Sequence, residues 1–193
     1  EDSKETIRIN IMIKLTTLLR EIGENTSTPY PVTRMDGDDE LAMFAFKTDS
    51  GTAYQIAITK EPGFNDAGEE ALIYQIAFGV VDAADYKTMG ADTDYNAEVN
   101  DPKNMYRVMA TVIDTLKKEI AIDEEYFHPV HAIWMTPSKR QVDDPNGEEG
   151  ETIDDWTDNR RKNFYMAYIK KNMPGARVQE KGNHIWVYLP QKK

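Results

Sequence analysis

The sequence predicts an α+β fold: an antiparallel meander, then helix, strand, helix and a closing strand or hairpin. Two patterns carry this expectation. Between residues 40 and 81, three strand-like runs are separated by short turn segments. After residue 100 the apolar period twice becomes that of a helix, with one strand-like run between the two.

Taken in order, Ile7, Ile11, Leu15, Leu18, Leu19 and Ile22 recur at helical spacing, so residues 6–22 read as an amphipathic N-terminal helix that Gly23 ends. The polar, proline-bearing ENTSTPYP reads as loop. The run ELAMFAFKT lies between DGDD and DSG, both of which are turn chemistry. In TAYQIAITK, Ala53, Gln55 and Ala57 alternate with Tyr54, Ile56 and Ile58, which sets two different faces on a strand. ALIYQIAFGVV is longer and apolar on both faces, as a central strand is. Residues 82–103 then form a long, Asp-rich connection.

Asp101 as N-cap and Pro102 at the first helical position open the next helix. Its inward stripe is Met105, Val108, Met109, Val112, Leu116 and Ile120. DEEYFHP follows as a break, and VHAIWMT reads as a strand that Pro137 stops. Residues 138–158 are a polar, acidic loop inserted into a single domain spanning 1–193. A helix over about 158–173 ends at Pro174–Gly175, and ARVQEKG with HIWVYLP closes the fold.

Composition narrows the chemistry. The 193 residues include no cysteine, which removes disulfides, thiol nucleophiles and thiolate metal sites. No apolar run approaches the roughly 20 residues of a membrane span, and no signal-peptide pattern opens the chain. The expectation is a soluble protein of the host-cell cytoplasm or of a virion. The net charge of −11 is unevenly placed: residues 159–193 hold nine Lys/Arg against Glu180 alone. Such asymmetry fits a binding face for an anionic partner, or a basic tail packed beside acidic loops of the same chain or a neighbouring copy.

Asn159, the Phe164–Tyr165 pair and Gly175 fall on the last helix in places comparable to an Asn, a Leu-Tyr pair and a Gly-Phe of the GNAT-type N-acetyltransferases. With the element order over residues 40–190, the chain resembles that family's topology. The resemblance implies acetyl-CoA as cofactor and Tyr165 as general acid to the leaving thiolate. MYRVMATVIDTLKKEI, AIWMTPSK and NRRKNFYMAYIKK also resemble tailed-phage proteins of uncharacterised function, which implies a phage source.

An acetyltransferase must hold a pyrophosphate, which the family does with a Gly-rich, Arg-bearing turn at a helix N-terminus. Here the corresponding residues 82–104 contain six acids, one glycine (Gly90) and no arginine, and Asp101 takes the helix N–H groups. The cofactor turn is therefore degenerate, and no cofactor is expected. Tyr165, beside Phe164, Tyr168, Ile169 and Met173, reads as core packing. Arg160, Arg161 and Lys162 lie in the first helical turn, where the helix dipole disfavours cations, so an anion or an acidic partner should face them. The eight acids between Asp143 and Asp158 are one such partner.

His128 and His131 point to opposite faces of an extended segment, and DDPNGEEGE lacks the register of a calcium loop, so no metal site is expected. The net charge argues against broad nucleic-acid binding. The function expected is a non-catalytic GNAT-like binding or structural module, phage-encoded and virion-associated, with a protein partner or self-association. The alternatives are a CoA-dependent N-acetyltransferase and an acidic DNA mimic that inhibits a host nucleic-acid enzyme.

Overall fold

The computed structural model describes residues 28–35, 38–94, 102–137 and 160–190. The helix expected over 6–22, Asp101 and the acidic loop expected over 138–158 lie outside these residues. Within them the fold is α+β, with a mixed sheet and two helices. The strands are β1 (Thr33–Arg34), β2 (Leu41–Lys47), β3 (Ala53–Phe64), β4 (Glu70–Val81), β5 (Thr93–Asp94), β6 (Val130–Met135), β7 (Arg177–Lys181) and β8 (His184–Tyr188). The helices are α1 (Pro102–Tyr126) and α2 (Arg160–Asn172).

Sheet order is β1-β2-β3-β4-β6-β8-β7, with β5 paired to the far end of β4. β4 occupies the middle, as its two apolar faces require. Only β4 and β6 run parallel; every other neighbouring pair is antiparallel. A parallel pair needs a long crossover, and α1 supplies it.

Register sorts the side chains. Phe44, Phe46, Tyr54, Ile56, Ile58, Tyr74, Ile76, Ile133, Met135, Ile185 and Val187 share one face and are buried. Both helices pack there: Val108, Met109, Val112, Leu116 and Ile120 come from α1, and Tyr165, Tyr168 and Ile169 from α2. The opposite face is partly covered by residues 82–94. There Gln55 Nε2 donates to the carbonyls of Tyr86 (3.0 Å) and Thr88 (2.9 Å).

The elements differ from the sequence expectation at α1, β3 and β5, each for a physical reason, and β1 is a further strand that expectation did not include. α1 continues through 123–126, because Asp123 is buried against the sheet rather than solvated in a break. β3 runs on through Pro62 to Phe64; β2 ends opposite Thr59, so Pro62 faces an open edge where no amide is needed. The short β5 is additional, admitted by Gly79, where a Cβ would stand 2.7 Å from Asp94 O. Of the strand or hairpin expected for the closing segment, the structure has the hairpin, turned by Gly182 at φ +60°. Neither described helix is long and apolar enough to cross a membrane.

Candidate functional site

The parallel strand pair creates a cleft. β4 pairs with β6 over Leu72–Gln75 and with β5 over Val80–Val81. Between them, residues 76–79 keep β3 on one edge and have no strand on the other among the described residues. A cavity of about 300 Å³ opens here. Ile76, Phe78, Met135 and Pro137 give it apolar walls, and Gln75, Thr136 and Tyr165 bring polar atoms.

α2 delivers Tyr165 to this cavity. The ring is 7% exposed and packs on Phe78 at 5.6 Å and Phe164 at 5.9 Å between centroids. Burial pushes its phenol pKa above the ordinary value, and the Arg161 charge only partly opposes this. At neutral pH Tyr165 is thus a neutral hydroxyl, and the tyrosine is both core residue and cavity wall. Tyr168, one turn on, is buried and also shifted upward by burial.

The described cations of the first turn of α2 have different surroundings. Lys162 Nζ lies 2.5 Å from Glu180 Oε1 on β7, so its compensating acid comes from the hairpin. Arg161 is partly buried and acts on Tyr165 electrostatically. The side chain of Arg160 is outside the described residues, as are the acids between Asp143 and Asp158. Near the start of α1, Arg107 donates to Thr28 O (2.7 Å) and Asp49 Oδ2 (2.6 Å) and stacks 3.8 Å over the Tyr30 ring.

A second polar cluster went unread in the sequence. Lys60 Nζ on β3 sits 2.8 Å from Glu119 Oε1 and 2.8 Å from Asp123 Oδ2 on α1, and all three are buried. Tyr74 on β4 donates its hydroxyl to Asp123 Oδ2. Arg34 on β1 grips Glu119 with two nitrogens, at 2.7 and 3.1 Å. Burial opposes the Lys60 charge, but the bonds from Asp123 and Glu119 outweigh it and raise its pKa. Burial, then Asp123, raises that of Tyr74. Two cations answer two carboxylates, so the cluster is closed on itself. The signal was available: Glu119 and Asp123 continue the inward spacing of Val112 and Leu116, and Lys60 continues that of Ile56 and Ile58.

The fold and cleft define an α+β protein whose mixed sheet opens beside its parallel pair. Compared with protein-family models the chain matches none, and no curated protein matches it.

Proposed function

We propose that this chain is a non-catalytic module of GNAT-like topology, phage-encoded and virion-associated, that binds a partner through the cleft beside β4. The order meander, α1, parallel β6, α2 and hairpin supports the topology. The observation that carries the binding role is the cleft lining: apolar walls, two neutral polar side chains and a buried, protonated Tyr165. Such a lining favours an uncharged segment of a partner, with the edge of β4 at residues 76–79, unpaired among the described residues, offering backbone hydrogen bonds.

One observation favours a second reading. Tyr165 stands on the wall of the cavity in which a general acid to a departing thiolate would act in an acetyltransferase, although burial makes it a weaker acid. Acetyl-CoA at about 300 µM separates the two, because a ligand that binds only the native state raises its melting temperature. The binding-module reading expects no shift and no heat in a calorimeter. A shift with measurable heat overturns it in favour of the enzyme. Mass spectrometry of purified particles tests the virion placement, which requires peptides of this chain.

A further inference from the structure

The sheet face turned away from both helices carries a row of rings on β6 and β8. Trp134 and Trp186 are cross-strand partners, stacked with centroids 6.2 Å apart and planes 22° apart. Tyr188 extends the row at 6.1 Å and 19°. His184 meets Trp134 edge-on at 5.1 Å, and its Nδ1 lies 2.8 Å from Thr136 Oγ1. All four rings are partly exposed.

The neighbouring edge strand, β7, supplies cations to the same face. Arg177 lies 4.4 Å over Tyr188, and Lys181 lies 5.1 Å over Trp186 while bonding the Tyr188 hydroxyl. Both are exposed. Both charged groups gather at the Tyr188 ring, Arg177 at 4.4 Å and Lys181 at 5.0 Å from its centroid, so the cations mark the Trp186–Tyr188 end of the row. The single acid of these three strands, Glu180, alternates to the other face and holds Lys162 there. Beyond Tyr188, His131 meets its ring edge-on at 5.7 Å and stands 3.5 Å from Asp66.

We propose that this face binds single-stranded nucleic acid, with bases stacked on Trp134, Trp186 and Tyr188 and phosphates paired to Arg177 and Lys181. Flat rings accept any base, and Arg177 and Lys181, which lie over the Tyr188 and Trp186 rings, would leave those faces to pair with a phosphate backbone. A duplex does not fit this chemistry, since its bases are already stacked inside the helix. The proposal departs from the expectation drawn from the net charge of −11, which averages over the whole chain, whereas residues 159–193 hold nine Lys/Arg against Glu180 alone. Within a screening length of about 10 Å at 0.1 M salt, the local charges decide. The row meets the cleft at Thr136, which bonds His184 and lines the cavity, but Trp186, Arg177 and Lys181 take no part in that lining, so changing them tests this proposal apart from the cleft.

The test is titration of a fluorescein-labelled, twelve-nucleotide oligothymidine with the full chain at 50 mM salt. Saturable binding is expected, with tryptophan fluorescence quenched as bases stack and at least tenfold weaker binding to a duplex of equal length. Replacing Trp186 by Ala should weaken binding about tenfold or more, given a typical stacking contribution per base. The double change Arg177→Ala and Lys181→Ala, at exposed sites that do not carry the fold, should reduce the slope of log K against log salt by about 1.4. Absence of binding, equal affinity for duplex, unquenched tryptophan, or an unchanged salt slope overturns the proposal. Arg177- and Lys181-dependent dimerisation in sedimentation, without oligonucleotide binding, overturns it in favour of a protein interface.

Discussion

Lys60 Nζ stands 2.8 Å from Asp123 Oδ2, and this contact joins β3 to α1 across the buried face of the sheet. Removing the cation strands Asp123 and Glu119 without their shared partner. Lys60→Met should therefore cost about 3–5 kcal/mol, measured by urea unfolding. Replacing Lys60, Glu119 and Asp123 together by apolar residues of similar volume should recover most of that loss. A single change costing under about 1 kcal/mol would show that the cluster is not desolvated.

Alkaline pH should unfold the protein early. Lys60, Tyr74, Tyr165 and Tyr168 all hold their protons more tightly than in a solvated chain. Below pH of about 10 both folded and unfolded forms are protonated and the stabilisation is complete. As pH rises further, the unfolded chain releases these protons first. Stability then falls by up to about 1.4 kcal/mol per pH unit for each group. Melting temperatures between pH 9 and 11.5 should trace this, and Tyr74→Phe should flatten the slope by one group.

Tyr165 separates packing from hydroxyl chemistry. Tyr165→Ala empties ring volume against Phe78 and Phe164 and should cost about 3 kcal/mol or more. Tyr165→Phe keeps the ring and should cost about 1 kcal/mol or less. Equal, small effects in chemical denaturation would contradict the burial of this side chain.

Gly79 admits β5. An added Cβ would meet Asp94 O at 2.7 Å and Thr93 Cγ2 at 2.9 Å, and the first of these is backbone that must move. Gly79→Ala should cost about 1–3 kcal/mol through this overpacking. Hydrogen exchange should locate the effect, with the amides of Thr93 and Asp94 losing protection while those of β3 keep theirs.

The fold was legible where one periodicity held without interruption. Tyr54, Ile56 and Ile58 alternate cleanly, and the two-faced apolar run of residues 71–81 marked the middle of the sheet. The place of β8 between β6 and β7 was not legible, because insertion order depends on which edge is free when a strand docks, not on its local pattern. Lys60, Glu119 and Asp123 were passed over since charged residues read as surface one at a time, and only their shared inward register reveals them as partners. Tyr165 was read correctly as packing, yet its place on the cavity wall follows from the divergence of β4 and β6, which no local spacing encodes. The ring row needed the pairing of Trp134 with Trp186, residues 52 positions apart in the sequence.

The late arrival of β8 has a consequence for biosynthesis. On the ribosome, β2, β3 and β4 emerge together and can pair at once, and β6 joins after α1 has formed. β6 then presents an unpaired edge until His184–Tyr188 is made, and β7, although synthesised first, reaches the sheet only through that last strand. Nascent chains halted before residue 184 expose a template for pairing between molecules. Docking of His184–Tyr188 is therefore the step that closes this edge of β6.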